Sequence, residues 1–405
     1  MNVSSNSSSI TVITTTPSWI PTLLTNRLLS IYSLLLIIIG TPCNILCICI
    51  YFQKQNRSSS IKTIFGYLAL LDCITLYTFN LNYVYREFYI NQHQHDDEDG
   101  HTNGMMLIKK KNLEEYSLII CRLLSYTAFT TLQTSSWILA FGSVNRYLLI
   151  KQLGYFKFIC KRSYTIIICL IITCTFLVSN IHILIMNGYS TSNRGNHTNT
   201  IVHCYKNIHY PNYMIYYQRF HLVIYSILPS VLLLIFNALL IRTIIQSKRR
   251  LIKHKKLSVA LFYNNNGYLT ISPQPTTATT ARCSLRHKIA GIKNNKMLLN
   301  NPMRWLNRGH SRKLTLSLIF IAISFFILTF PSTLLFSHFR LKIHNLSYRR
   351  TITLFFTNLS TTTHVIRFFI YFFCSIDFRN DFFKLLICLC FKQHKKQTKL
   401  TIVMK

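Results

Sequence analysis

Acidic side chains are scarce in this chain: ten Asp and Glu stand against forty-five Lys and Arg in 405 residues. Only Asp72 falls inside a long apolar run, so intramembrane catalysis by paired carboxylates or a His/Glu zinc cluster has no residues to work with. Charge of either sign is sparse as well, at 14% against 50% hydrophobic, and the apolar residues fall in blocks rather than at amphipathic spacing. That is a membrane composition. The start, "MNVSSNSSSITVITTTPSW", lacks a basic region and a compact apolar core, so no cleavable signal is expected and the first apolar run serves as its own insertion signal. No internal repeat or matched pair of Gly/Pro-broken segments is visible, which weakens a transporter reading.

The apolar runs lie at about 28–52, 61–85, 117–150, 163–186, 219–245, 313–338 and 351–375, each near the roughly 20 residues a spanning helix needs. The expected fold is therefore all-α, a seven-transmembrane helix bundle. The second run is interrupted by Asp72, Asn80 and Asn82, and the third is diluted by Thr and Ser, so these two are the weakest by hydropathy.

Lys and Arg set the orientation, because cytoplasmic loops carry the positive excess. Residues 246–313 contain fifteen of them and no acid, and Lys54, Arg57, Lys62, Lys151, Lys157, Lys161 and Arg162 fall on the same side. The N-terminus is then outside. The domains expected are an external Ser/Thr/Asn-rich tail at 1–27, the bundle at 28–375 with a long cytoplasmic loop at about 246–312, and an interfacial helix with a basic tail at 376–405. Asn2, Asn6, Asn196 and Asn345 sit in external N-x-S/T triplets and are glycosylation candidates. The net charge of +35 does not call for nucleic acid, since most of it flanks spans on one face, where inner-leaflet lipid and an intracellular partner are the counterparts. Seven of the ten acids lie between Glu87 and Glu115, in an outer loop holding "HQHDDEDGH". The acidic run at 96–99 is a solvated loop or, less readily, a collector of basic peptide. His93, His95 and His101 are too irregularly spaced for a metal site.

Of thirteen cysteines, eleven fall in spans or on the reducing side. Cys121, at the outer start of the third span, and Cys204, in the loop after the fourth, face the oxidising side, and a bridge between them is expected over the alternative of two free thiols.

Together with these features, Asn44 in "GTPCNILC", Asp72 in "LALLD", Arg146 in "NRY", Pro229 in the fifth span and Pro331 in the sixth resemble a rhodopsin-like G-protein-coupled receptor. "RFFIY", Phe378 and "KLLICLCF" extend the likeness, which covers about residues 28–390, and the "FFIY" form is similar to invertebrate receptors for FMRFamide-like neuropeptides. The resemblance implies an extracellular ligand held in the outer half of the bundle and a heterotrimeric G protein admitted when the cytoplasmic half opens. It further implies that Arg146 changes partners on activation, with Tyr147 behind it and Tyr371 swinging inward beneath it, and that Phe325 is a packing switch six residues before Pro331. The two prolines would leave kinks about which the cytoplasmic ends move.

Several residues depart from that pattern. Asn145 replaces the acid that usually precedes the arginine, Ser311 stands where an acid often sits in the sixth span, Thr329 replaces a tryptophan and Asn237 a tyrosine. Raised basal signalling, or altered or lost coupling, is expected from these changes, against the alternative that hydrogen bonds from Asn145 suffice to restrain Arg146. Arg367 occupies the position where the family carries an asparagine facing the acid of the second span, across a cavity that often holds sodium. A buried charge demands a partner, so Arg367 is expected to pair with Asp72, with Asn44 and Ser135 completing the hydrogen bonds, unless it snorkels toward lipid phosphate.

Ala128, eighteen residues before Arg146, argues against an amine ligand, and the absence of lysine from 351–373 against retinal. A peptide is the remaining expectation. Basic ends of the 246–312 segment should extend the flanking helices, and Cys388 and Cys390 are acylation candidates at the membrane surface. No cofactor or metal is called for. The rival to the receptor is a seven-helix transporter or ligand-gated channel lined by Arg367 and Asp72.

Overall fold

The computed structural model describes residues 20–53, 59–88, 112–151, 160–192, 200–266 and 302–388. Asn2, Asn6, Asn196, Cys390, the acidic and histidine residues at 93–101 and most of the long cytoplasmic loop lie outside these segments.

Among the described residues, seven helical spans form the bundle. They are α1 (Ile20–Tyr51), α2 (Ser60–Phe88), α3 (Leu118–Lys151), α4 (Arg162–Ser179) continued by α5 (Ile181–Met186), α6 (Tyr213–His221) continued through a π-helical stretch (Leu222–Ile227) into α7 (Leu228–Asn266), α8 (Pro302–Leu334) and α9 (Leu346–Cys374). A further helix, α10 (Ile376–Cys388), leaves α9 at about 100°. Five spans are individually long and apolar enough to cross a bilayer, and α9 qualifies together with α10. The exception is α3, and its place in the bundle supplies the reason. It packs against α2, α4, α7 and α8, and Thr130, Thr131, Gln133, Thr134, Ser135 and Ser136 are all buried within protein rather than lipid. By contrast, α4 is peripheral, with only Thr165 and Cys169 buried.

Lipid supplies no hydrophobic drive between helices, so close backbones and interhelical hydrogen bonds carry the assembly. At Gly40 of α1, an added Cβ would lie 2.6 Å from Leu76 and 2.7 Å from Val365, so three helices meet at a point where only glycine fits. Asn358 of α9 donates to the Leu29 carbonyl at 2.7 Å and accepts from Ser33 at 2.6 Å, joining α9 to α1. Tyr67 and Thr173 bridge α2 to α4 at 2.8 Å, and Trp137 of α3 donates to the Ile224 carbonyl at 2.9 Å. Such bonds contribute about 0.6 kcal/mol on average in a membrane, and about 1.7 at most.

Proline removes a backbone donor. Pro229 follows directly on the π-helical stretch, where the wider turn absorbs the lost bond, and Pro331 lies inside α8 with a second π-helical turn (Leu335–Phe339) beyond it. The fifth and sixth helices run well past their apolar cores, to Asn266 and from Pro302.

The outer loop after α5 forms a hairpin, β1 (Tyr189–Ser192) against β2 (Thr200–His203), antiparallel with Tyr189 opposite His203. Cys121 and Cys204 are joined by a disulfide. Gly188, at φ +77°, brings the chain against Cys121, where a Cβ would sit 3.1 Å from the sulfur. The Asn187 amide donates to Ser125 at 2.9 Å, and Arg122 donates to the Asn187 carbonyl at 2.9 Å. The loop is thus held on the mouth of the bundle by α3.

On the cytoplasmic side, Ser375 caps α10 through the Phe378 amide at 3.3 Å. Phe378 packs on Tyr51, Tyr371 and Phe368 with ring centroids 5.4, 5.9 and 5.7 Å away. Lys62 reaches Asp381 at 3.5 Å, and the apolar residues Ile376, Phe383 and Ile387 stay exposed, a face suited to lie on the membrane surface.

Candidate functional site

In the outer half of the bundle, α2, α3, α6, α8 and α9 enclose a cavity of about 320 Å³. Its floor is threonine and serine (Thr78, Thr357, Ser360, Thr361), its walls include Phe79, Phe129, Leu132, Tyr225 and Phe336, and its mouth is charged. Concave cavities with apolar walls and a few convergent polar groups are the kind that hold small ligands.

Glu114, in the helical turn before α3, is buried at the mouth and accepts from the Tyr205 hydroxyl at 2.8 Å. Tyr205 holds this position with φ +62°, an unusual conformation for a residue with a side chain. Burial pushes the Glu114 carboxyl above its ordinary value, although Tyr205 and Arg340 pull it down.

A buried polar and aromatic chain runs from the cavity wall into the core. The Asn180 amide donates to Gln133 at 2.7 Å and accepts from the Tyr217 hydroxyl. Gln133 Nε2 lies 3.0 Å from His221 Nδ1. The His221 ring stacks 5.0 Å from Tyr225, whose ring meets Phe325 edge-on at 5.9 Å. Phe325 is completely buried, and its carbonyl accepts from Thr329 at 2.6 Å.

Below the cavity, α9 presents Thr357, Thr361, His364, Arg367 and Tyr371 at spacings of three or four, which places them along one helical face. Thr361 donates to Asn80 at 3.2 Å. Next lies the ionic centre, with Arg367 Nη1 2.5 Å from Asp72 Oδ1 and 3.2 Å from Ser135 Oγ. His364 Nδ1 reaches the same Asp72 oxygen at 2.6 Å. Arg367, Asp72 and His364 are each 1% exposed. Asn44 stands one step back, since its amide donates to the His364 backbone carbonyl at 3.2 Å rather than to the ion pair. A guanidinium on the carboxylate leaves this centre already neutralised, so the residues do not fit a bound sodium ion. Among the described residues, no cluster of three His, Cys, Asp or Glu is arranged for a metal.

At the cytoplasmic end, Tyr371 is buried between Phe65 (4.6 Å) and Tyr51 (5.5 Å). The Asn145 amide donates to Ser60 Oγ of α2 at 2.8 Å, tying the residue before Arg146 to a neighbouring helix. Tyr147 packs on Phe236 of α7 at 5.7 Å. Asn345 caps α9, accepting from the Ser347 and Tyr348 amides at 3.0 and 3.2 Å, and Cys388 is exposed at the end of α10.

Sequence reasoning did not single out His364, Gln133, His221, Tyr225 or the arginines at the cavity mouth. For His364 the signal was its spacing of three from Arg367. For the arginines it was position: Arg86, Arg340, Arg349 and Arg350 lie on the outer side, where the positive-inside rule makes cations uncommon.

A family model described as 7 transmembrane receptor (rhodopsin family) matches residues 104–377, from the outer loop before α3 to the start of α10. No curated protein matches the chain.

Proposed function

This chain belongs to the rhodopsin family of seven-transmembrane receptors, and from that membership we propose that it binds an extracellular peptide in the outer cavity and activates a heterotrimeric G protein. The observation that carries the reading is Tyr225, which lines the cavity and also packs on the buried Phe325. A ligand group pressing on Tyr225 shifts the ring against Phe325 and so biases the packing of α7 against α8. Both helices carry a proline and a π-helical turn near this level, where one backbone hydrogen bond is already given up. Outward movement of their long cytoplasmic ends opens the cleft beside Arg146, and Tyr371 leaves its aromatic cluster to enter it. A ligand shifts this equilibrium only by its differential affinity for the two packings.

The peptide assignment rests on the absence of an amine-binding aspartate at Ala128 and on a cavity at the small end of the ~300–1,000 Å³ range. Such a cavity admits the terminal residues of a peptide whose remainder lies against the hairpin. The plasma membrane is the proposed location, with glycans on Asn2, Asn6, Asn196 and Asn345 and acyl chains on Cys388 and Cys390. Asn145 in place of an acid favours raised basal activity. Purified protein in lipid nanodiscs, mixed with a G protein, tests the reading. Ligand-stimulated nucleotide exchange supports it, whereas ligand-gated ion flux in liposomes without exchange replaces it with a channel or transporter.

A further inference from the structure

Four guanidinium groups line the cavity, from Arg86, Arg340, Arg349 and Arg350, against two carboxylates, Glu114 and Glu115. They come from three separate places: the end of α2, the turn after α8 and the first turn of α9. Their partners are weak. Arg86 Nη1 donates to Asn112 at 3.0 Å and its Nε is 3.8 Å from the adjacent Glu87. Arg340 lies over the Phe336 ring at 5.5 Å. Among the described residues no carboxylate forms an ion pair with Arg340, Arg349 or Arg350. The charge of Arg350 acts unfavourably on Arg86 and that of Arg349 on Arg350, while Glu87 and Glu115 act favourably on both Arg86 and Arg350 without contributing an equal number of charges to the rim. The two lining acids accept hydrogen bonds from neutral groups, Glu114 from Tyr205 and Glu115 from the Asn112 amide at 3.2 Å, and they offset only part of the positive charge, Glu114 that of Arg340 and Glu115 that of Arg350.

We propose that the outer cavity recognises an anionic group, a carboxylate such as a free peptide C-terminus attached to an aromatic or aliphatic side chain. Guanidinium forks match a carboxylate bidentately, and an anion at the mouth relieves the mutual repulsion of the arginines. Below the mouth, Phe79, Phe129 and Phe336 supply the apolar wall for the side chain that accompanies the carboxylate. An amidated terminus can accept a hydrogen bond there but brings no charge to the cluster, and a cationic one is repelled. The inference rests on the receptor reading, because it assigns chemistry to the same cavity.

The test uses full-length protein in nanodiscs and two tetrapeptide pools, randomised at three positions and ending in phenylalanine as the free acid or as the amide. A ligand that binds the folded state raises its melting temperature. The acid pool is expected to stabilise the protein and the amide pool not to. Arg349→Gln with Arg350→Gln, at the solvent-facing rim where folding tolerates the change, should weaken the acid pool roughly tenfold or more, the value of one charge-assisted hydrogen bond. Raising salt should weaken it too. Equal stabilisation by both pools, preference for the amide, response to neither, or indifference to the double substitution overturns the proposal. Nucleotide exchange on the same samples separates the two readings. Exchange driven by the amide pool rejects the anion and leaves the receptor, whereas acid-selective binding without exchange from any pool rejects coupling and leaves the anion site.

Discussion

Replacing Arg367 by asparagine removes a cation that is 1% exposed and 2.5 Å from Asp72. Asp72 then keeps only His364 and faces a low-dielectric core. Breaking a buried pair from one side costs about 3–5 kcal/mol, because the survivor is an uncompensated buried charge. Asp72→Asn leaves the guanidinium in the same position and should cost a similar amount. In the double variant no charge is stranded, and two amides of moderate size can hydrogen-bond to each other and to Ser135. The cost should then fall well short of the sum, giving a coupling on the order of 1–3 kcal/mol. His364→Phe should be milder than either single change, since it leaves the guanidinium on the carboxylate. The measurement is a double-mutant cycle on the stability of purified protein, with surface expression read in parallel. Additivity of the two single changes within about 0.5 kcal/mol would show that the contact carries no energy of its own, and the account of Arg367 would fail with it.

Asn145→Asp places a carboxylate beside Arg146 and should lower ligand-free nucleotide exchange; equal exchange from the two proteins counts against restraint by the residue at this position. Glu114 makes stability depend on pH: its folded value lies above the ordinary 4.5, so in the window above 4.5 the folded state holds a proton the unfolded chain has lost. Stability therefore falls as pH rises through that window. Glu114→Gln should flatten the slope in melting experiments, and an unchanged slope assigns it to another group. Gly40→Val drives a branched side chain into Leu76 and Val365 and should cost about 1–3 kcal/mol, read as a lowered melting temperature; no effect would mean that α1 shifts freely. Asn345→Ala removes the cap of α9 at a cost of about 1 kcal/mol, and loss of a glycosidase-sensitive gel shift in the same variant reports whether the site carries a glycan.

Much of this molecule could be read before any coordinates. Block-wise hydropathy gives the spans, since backbone polar groups in lipid must be satisfied within each helix. The two least certain spans diverge in an instructive way: α2 proves apolar enough despite Asp72, Asn80 and Asn82, while α3 does not. Hydropathy measures fitness for lipid, and the Thr/Ser-rich middle of α3 is buried in protein. The scarcity of acids, which left Asp72 the one carboxylate deep inside a span, made it the partner that Arg367 could meet.

What lies across helices was beyond that reading. The arginines at the cavity mouth are separated by more than 250 residues between Arg86 and Arg340, and no local pattern announces that they share a rim. The link from His221 through Tyr225 to Phe325 depends on the rotation of α6 and α8 about their axes, and the place of Asn44 behind His364 depends on how deeply α1 sits against α9. Sequence alone determined which segments are apolar enough to enter the membrane and which charge needed a partner, because those follow from transfer of each residue between water and lipid. The tertiary structure decided which side chains share a cavity, because that depends on helix depth and rotation, set by packing among all seven spans at once.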